Sequence, residues 1–248
     1  MLKRYFLSIL IVTIGQLLFS QTTNFNSFIS PPGTNNISDN LYLDKVEVTN
    51  LNWLEFIIFL IQTDTTSYYL KMLPDSTINK FDFEIYVDSK ELENYPVTGI
   101  TYEQALAYCN WRSEFVTKTK NRKAIPKGSC AWKYWIKFEK FDPERNYKIV
   151  YRLPTPKEYE QFYKLKSKDN YDSIIKPIKF KEKEKYFNFI IGNVSEMTFI
   201  KGIAKGMDFK HKPIKDQKKT ELNKDIIYQK PELWLGFRCI AEYILIEE

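Results

Sequence analysis

Three helix-start signals, separated along the chain by strand-like stretches, constrain the fold more than any other feature of the sequence. The run Thr155-Pro156-Lys157-Glu158 combines an N-cap threonine, a proline at the first helical position and a glutamate that can complete a capping box. Thr101 and Gln104 form a second capping box, and Thr49 can cap a third helix. The helices predicted from these signals cover residues 50–62, 102–118 and 156–165.

Apolar and polar residues alternate in the stretches between these helices, which is typical of half-buried strands. The predicted strands cover residues 41–48, 83–88, 148–153 and 233–246. Residues 121–147 are rich in aromatic side chains but lack a clean period, so we expect loops and a short strand there. The lysine-rich stretch 201–230 predicts solvated loops or, alternatively, a basic surface for an acidic partner or anionic headgroups.

The first twenty residues have the pattern of a secretory signal peptide. Lys3 and Arg4 precede an apolar run that begins at Tyr5, and Ser20 offers a small residue at a cleavage point. A short membrane anchor is the alternative, but polar residues interrupt the run, and it falls short of the roughly 20 apolar residues that a span needs. We expect residues 1–20 to be removed and the mature chain to be exported, without a transmembrane span of its own and without nucleic acid as a partner.

Composition limits the number of domains and the chemistry. The chain has 248 residues, of which 44% are hydrophobic and 27% charged, enough for one sizeable core. The polar segment 21–36 contains a Pro-Pro-Gly turn and predicts an irregular lead into a single packed domain over residues 37–248. The one histidine, His211, leaves little room for a multi-histidine metal site.

Five short motifs follow one another along the chain. They are Asp44-Lys45-Val46-Glu47-Val48-Thr49-Asn50; Tyr95-Pro96-Val97 followed by Ala107-Tyr108-Cys109-Asn110-Trp111-Arg112; Arg152-Leu153-Pro154-Thr155; Gly192-Asn193-Val194-Ser195-Glu196; and Gly236-Phe237-Arg238-Cys239. In this order and spacing they resemble the formylglycine-generating enzyme family, also called the sulfatase-modifying-factor domain, over roughly residues 40–243. The resemblance implies an α+β domain, related to C-type lectins, with much irregular structure.

Two arginines of these motifs, Arg152 and Arg238, lie in strand-like runs and are expected to be partly buried. An unpaired buried charge is too costly to keep, so we predict structural ion pairs with carboxylates. The candidate partners are Glu47, Glu158 and Glu196. The alternative is a carboxylate-binding pocket built from the two arginines.

The oxidase of this family carries a pair of copper-binding cysteines between the Gly-Asn-x-x-Glu and Gly-Phe-Arg-Cys motifs, and thiolates suit soft Cu(I). Residues 193–238 of this chain contain no cysteine. The resemblance therefore implies a domain without that oxidase chemistry, for which we assign no catalytic residues. Met207 and His211, four residues apart, are expected to be structural.

Among the members of the family, the chain is most similar to the non-catalytic branch of gliding motility and type IX secretion. This resemblance implies a pseudoenzyme that contacts protein partners in an envelope complex, in the periplasm or at the outer membrane. A lectin-like module that binds glycans or other ligands through loop residues of 121–147 is one alternative. A formylglycine-generating oxidase is a second, disfavoured by the missing cysteines.

The resemblance also implies a calcium site, and calcium is the one cofactor that it suggests. Gly192, Val194 and Glu196 match positions that supply oxygen ligands, which a hard cation prefers. The asparagine that the enzymes place three residues before the glycine is Phe189 here, and Asn188 lies one residue away. One ligand of the site is therefore missing or displaced.

Three cysteines allow one disulfide and one spare thiol in an oxidising compartment. The resemblance pairs Cys109 with Cys239, because the matching positions are bridged in disulfide-bearing enzymes of the family, and it gives Cys130 no partner. The alternative is three reduced, buried thiols that act as small hydrophobic residues.

Overall fold

A computed structural model gives the structure of most of the chain. It describes residues 29–63, 66–79, 89–118, 136–137, 146–165, 167–170, 175, 177–178, 187–210 and 224–246. The predicted signal peptide, the predicted strand 83–88, most of the aromatic stretch 121–147, Cys130 and His211 lie outside the described residues.

Each of the predicted helix starts is confirmed. The helices are α1 (Asn50–Thr63), α2 (Ser76–Asn79), α3 (Tyr102–Lys118) and α4 (Pro156–Phe162), with a 3-10 helix over Tyr68–Met72. The hydroxyls of Thr49, Thr101 and Thr155 accept the backbone N–H three residues on, at 3.3, 3.1 and 3.2 Å. Helix α4 ends before the predicted Leu165, because the N–H groups of Lys164 and Leu165 bind carbonyls three residues back in a tighter turn. Within the described ranges, none of these helices combines the length and apolar character needed to cross a bilayer.

The strands form two four-stranded sheets and a two-stranded pair. In chain order they are β1 (Thr34–Ser38), β2 (Leu41–Asp44), β3 (Tyr147–Arg152), β4 (Ser167–Asn170), β5 (Phe187–Gly192), β6 (Ser195–Met197), β7 (Ile203–Lys205), β8 (Ile226–Ile227), β9 (Leu235–Gly236) and β10 (Ile240–Leu245). The first sheet has the antiparallel order β1-β2-β10-β3, and the second has the order β8-β7-β6-β9. Strands β4 and β5 pair in parallel.

Two predicted strands are interrupted around Asp44. The predicted strand 41–48 is wrong beyond Asp44, because the N–H of Val48 binds the carbonyl of Phe237 at 2.9 Å instead of continuing the ladder with β10. The predicted strand 233–246 is divided into β9 and β10, one in each sheet. The residues between them are held by Asp44, whose backbone N–H donates to the Cys239 carbonyl at 3.0 Å and whose carboxylate accepts the Cys239 N–H at 2.9 Å.

The main core lies where α1 and α3 pack on the first sheet and on the Gly-Phe-Arg-Cys segment. The ring of Trp53 stacks on Tyr108 with centroids 5.5 Å apart and meets Phe237 edge-on at 6.2 Å. The Trp53 indole N–H donates to the carbonyl of Met72 at 3.0 Å, so its one polar atom is paired although the residue is fully buried.

Helix α3 covers the edge of the first sheet. Strand β3 is an edge strand, and its outward N–H groups would otherwise lack partners. The hydroxyl of Ser113 accepts the N–H of Tyr151 at 2.8 Å, and that of Thr117 accepts the N–H of Ile149 at 2.9 Å. Two hydroxyls one helical turn apart thus fix α3 against alternate residues of β3.

Candidate functional site

Arg238 lies at the centre of a buried cluster of charged groups. The segment between β9 and β10 places it there, and its side chain has no exposed surface. Its Nε donates to both oxygens of Glu196 at 2.7 and 2.8 Å, and its Nη2 lies 2.6 Å from Glu196 Oε1. The same guanidinium donates to the carbonyls of Asn188 at 3.0 Å and Asp44 at 3.2 Å. The charge is therefore both paired and hydrogen-bonded, as a buried guanidinium requires.

Glu47 approaches this guanidinium less closely. Its Oε2 lies 3.9 Å from Arg238 Nη2, and its Oε1 accepts the side-chain N–H of Asn193 at 3.2 Å. Oε2 has no hydrogen-bond partner among the described residues. Burial raises the pKa of Glu47 to about 8, although Arg238 acts to lower it, and Glu196 raises it further. Burial therefore favours the protonated form of Glu47.

The Gly192-Asn193 turn and Gly236 shape the cluster through the backbone. Gly192 and Asn193 have φ angles of 98° and 64°, a left-handed turn that glycine adopts without strain and asparagine tolerates. The turn leads the chain from β5 into β6, and Asn193 within it contacts Glu47. A Cβ on Gly236 would lie 2.9 Å from Val194 Cγ2, so only glycine fits where β9 packs against this turn.

Ser195 stands in this motif where the family commonly has tryptophan. Its hydroxyl donates to Asp208 Oδ2 at 2.6 Å, and both residues are buried. A small polar residue is accommodated here because Asp208 supplies a buried acceptor.

A second ion pair joins α3 to β2. Arg112 donates through Nη1 and Nη2 to the two carboxylate oxygens of Asp44, at 2.7 and 2.8 Å. Its guanidinium carbon lies 4.1 Å from the centre of the Tyr151 ring, within the range of a cation–π contact. Arg112 and Asp44 are 68 residues apart, and no local sequence pattern pairs them, so sequence reasoning missed this contact. The available signal was only that both residues fall within the family motifs.

Arg152 meets Glu158, one of the three predicted candidate partners, and a further carboxylate. Its Nη2 lies 2.7 Å from Glu158 Oε1 and its Nε lies 2.9 Å from Glu242 Oε1. Glu158 also accepts the N–H of Thr155 at 2.8 Å, so one side chain both caps α4 and pairs with the arginine. The donors of Arg152 and Arg238 are directed at the chain's own carboxylates rather than at a shared ligand pocket.

The structure brings Cys109 and Cys239 together. Both are buried, and their sulfur atoms lie 3.6 Å apart as free thiols. Burial raises the pKa of the Cys239 thiol, and the neighbouring Cys109 raises it further. The disulfide between them stays a prediction.

A cavity of about 410 Å³ adjoins these ion pairs, between α1, α3 and the segment that follows β2. Its buried lining includes Val48 and Tyr108, whereas Leu51, Glu55 and Asn94 are exposed at its mouth. Its charged residues are Asp44, Glu47, Glu55 and Arg112. A volume of this size is typical of pockets that bind small molecules.

Comparison with known proteins decides the family. The sequence of residues 7–243 matches the FGE-sulfatase family, described as the sulfatase-modifying factor enzyme 1-like domain. This chain belongs to that family. The resemblance carried by the five motifs is thus confirmed, and the mixed helices and strands agree with the α+β fold expected from it.

Two solved structures are also similar in chain path. Variable protein 1 of Treponema denticola is 15% identical, with a TM-score of 0.41, and the match covers 87% of this chain and 92% of that one. A crystal structure titled CarF is 13% identical, with a TM-score of 0.44, and the match covers 88% of this chain and 95% of that one. None of the curated proteins matches this chain.

Two of the calcium ligands suggested by membership in the sulfatase-modifying-factor family, Glu196 and Asn188, have other partners here. Both oxygens of Glu196 accept from Arg238, and the carbonyl of Asn188 accepts from the same guanidinium. In the part of the chain that the structure describes, no three His, Cys, Asp or Glu side chains are grouped as a metal site. Glu196 would have to leave Arg238 to serve as a calcium ligand, and calcium binding at Gly192, Val194, Glu196 and Asn188 stays a prediction.

Proposed function

We propose that this member of the sulfatase-modifying-factor family is an exported, non-catalytic domain. It acts by protein contact as a subunit of an envelope or outer-membrane assembly, in the periplasm or at the outer membrane. Its place in the gliding-motility and type IX secretion branch, and the relation of its fold to C-type lectins, belong to the same proposal.

The positions of the cysteines carry the non-catalytic part of the proposal. The sequence contains three, at positions 109, 130 and 239, and none within 193–238, where the family resemblance places the copper pair. Cys109 and Cys239 face each other inside the core, and burial favours the neutral form of the Cys239 thiol. A buried neutral thiol is a poor copper ligand, because the thiolate binds the metal.

Exposed apolar side chains support the proposal that the domain acts by binding another protein. Phe199 and Ile200, in the turn between β6 and β7, are 53% and 50% exposed, and Ile227 of β8 is 67% exposed. Strand β8 pairs with β7 beside this turn, with Ile227 opposite Ile203. We call Phe199, Ile200 and Ile227 the contact surface. Clustered apolar side chains on the surface of a domain are typical of protein interaction sites.

Capture of partners from a detergent-solubilised envelope tests this proposal. The wild-type chain should retain one stoichiometric membrane-complex partner, and the double variant Phe199→Asp/Ile227→Asp should lose it. Leu245→Asp is the matched control, since Leu245 of β10 is also exposed, at 52%, but lies in the other sheet. All three proteins should unfold at nearly the same temperature, because exposed side chains contribute little to stability.

Two outcomes would contradict the proposal. Mass spectrometry that detects formylglycine in a sulfatase-type cysteine peptide, after incubation with the purified protein and Cu(I), would show an oxidase. Retention of glycans or peptidoglycan alone, without a protein partner, would support the lectin-like alternative.

A further inference from the structure

Strand β8 forms an open edge of the second sheet. In the described part of the chain it has a neighbour on one side only, in the order β8-β7-β6-β9. The N–H of Tyr228 donates to the carbonyl of Gly202 at 3.0 Å, and Ile227 lies opposite Ile203. Hydrogen-bonded and non-hydrogen-bonded pairs alternate along an antiparallel ladder, so Ile227 and Ile203 form a non-hydrogen-bonded pair. The N–H and the carbonyl of Ile227 therefore point away from β7, toward the open edge.

These two backbone groups of Ile227 are available to another strand. Among the described residues, nothing beyond β7 bonds to them. Unpaired donors and acceptors at a sheet edge are a template for strand pairing, which many proteins block with a proline or a charged residue on the edge strand. Strand β8 consists of Ile226 and Ile227 and has neither. Its edge can therefore accept a further strand.

An added strand would lie against the contact surface. Paired residues of neighbouring strands project to the same face of a sheet. Ile227 and Ile203 share the outer face, whereas Ala204 and Ile226 contact the core. An extended segment beside β8 would place every second side chain on the outer face, next to Ile227. Apolar residues at alternate positions of that segment would therefore cover the contact surface.

The turn that completes the contact surface is held in place by the fold itself. The N–H of Phe199 donates to the carbonyl of Pro154 at 2.8 Å, and the carbonyl of Phe199 accepts the hydroxyl of Tyr102 at 2.6 Å. Gly202, with a φ angle of 84°, lies against β8, and a Cβ there would be 3.4 Å from the carbonyl oxygen of Tyr228. A surface that is already ordered loses little conformational entropy when a partner binds.

Exposed lysines flank β8 and indicate the charge of the segment that it accepts. Lys224 lies before the strand and Lys230 lies after it, and both are exposed. Asp225, between them, is already paired with the buried Lys205 at 2.8 Å. Acidic residues at the ends of an added segment would therefore complement the charge of this edge.

We propose that β8 binds an extended segment of the partner protein by strand addition. The segment has apolar residues at alternate positions and acidic residues at its ends. The N–H and carbonyl of Ile227 make the main-chain hydrogen bonds, and the contact surface receives the apolar side chains. This inference rests on the proposed function, because it describes how the contact surface binds its partner.

Binding of a synthetic peptide tests the edge. The probe is acetyl-Glu-Val-Thr-Val-Thr-Val-Glu-amide, and its matched control is the same peptide with all inner backbone nitrogens methylated. Isothermal titration should show that the unmodified peptide binds about tenfold more tightly, because methylation removes the donors of main-chain hydrogen bonds. A version with lysine in place of both glutamates should bind about two- to fivefold more weakly, since exposed ion pairs contribute about that factor.

Hydrogen exchange of single amides locates the contact on the wild-type protein. The N–H of Ile227 should exchange about tenfold more slowly when about nine-tenths of the protein carries the peptide, because only the free form exchanges. The N–H of Tyr228 is the internal control, since it is already bonded to Gly202 and should change little.

Two substitutions separate main-chain pairing from side-chain contact. Ile227→Val and Ile227→Pro leave apolar side chains of similar size, but only the proline variant lacks the N–H. Proline is tolerated on an edge strand where the N–H faces outward, so both variants should unfold near the wild-type temperature. Ile227→Pro should bind the unmodified peptide about fivefold more weakly than Ile227→Val, because one main-chain hydrogen bond is lost.

Four results overturn the inference: equal affinity for the unmodified and methylated peptides, no saturable peptide binding, unchanged exchange of the Ile227 amide, or equal binding by the two variants. If Ile227→Pro does not fold, the exchange of the Ile227 amide decides. Sedimentation that shows dimers in the wild type and monomers in Ile227→Pro would identify a second copy of this chain as the occupant and also overturn it. Failure of the proposed function is distinguishable, because envelope capture would then retain no protein partner whatever the peptide does. Capture of a partner through Phe199 and Ile227 without slowed Ile227 exchange would leave the function standing and reject strand addition.

Discussion

At the scale of single residues, one guanidinium lies beside two buried carboxyl groups and contacts them at unequal distances. Arg238 contacts Glu196 at 2.6 to 2.8 Å through two nitrogens, whereas the nearest Glu47 oxygen is 3.9 Å away. The close contact with Glu196 pairs the positive charge of Arg238 with a carboxylate. Glu47 is then a buried carboxyl beside another carboxylate, and its neutral form is favoured.

Glu47→Gln should make the stability of the protein less dependent on pH between 4.5 and about 8. In the wild type, the native state keeps a proton that the unfolded chain releases near pH 4.5. The contribution of Glu47 to the free energy of unfolding is therefore complete below pH 4.5 and is lost as the pH rises to about 8. Glutamine stays neutral throughout, so the variant should gain stability relative to the wild type as the pH rises across this window. Urea unfolding of both proteins at several pH values measures the difference.

Glu103→Gln is the control for this titration. Its hydrogen bond from Lys201 lowers the pKa of Glu103 below 4.5, so this residue does not titrate in the same window. A constant stability difference between wild type and Glu47→Gln at every pH would show that Glu47 is already ionised in the native state.

At the scale of helices and strands, the sequence predicts contacts between residues within one helical turn. It misses contacts that depend on which residues of two distant elements lie opposite each other. Thr101 and Gln104 cap α3 from three residues apart, so their pattern is visible in the sequence. A partner for Arg238 was predictable because a buried charge needs one, even without knowledge of register. The Arg112–Asp44 pair and the early end of β2 depend on residues 68 and 195 positions apart, which no local pattern encodes.

Ser113→Ala should weaken the packing of α3 on β3. The hydroxyl of Ser113 accepts the N–H of Tyr151, 38 residues away, and its loss leaves that buried edge donor without this partner. The variant should lose about 1–3 kcal/mol of unfolding free energy. Urea unfolding measures the loss, with Ser38→Ala as an exposed serine control that should change it little. Equal stability of the two variants would show that the contact does not help to hold the helix on the sheet.

At the scale of the whole molecule, β10 and the segment before it join distant parts of the fold. Strand β10 lies between β2 and β3, so residues near the C-terminal end join the N-terminal hairpin to the middle of the chain. The segment just before β10 supplies Phe237 to the aromatic core, Arg238 to the ion cluster and Cys239 to the contact with α3. One short motif thus connects both sheets and the helix α3, which covers the edge of the first sheet.

Oxidation should stabilise the fold by forming a Cys109–Cys239 disulfide. Export would place the chain in a compartment where such bonds persist. The two thiols are already in contact, 130 residues apart in sequence. A covalent loop of that length should add about 4–5 kcal/mol to the free energy of unfolding by restricting the unfolded chain. Urea unfolding with and without reductant measures the gain, and Cys130→Ser should show the same gain, since the predicted bridge does not use that residue. Non-reducing peptide mapping that finds Cys130 in the bridge would show that the predicted pairing is wrong. Stability that reductant leaves unchanged would instead indicate that Cys109 and Cys239 stay reduced and pack as small hydrophobic side chains.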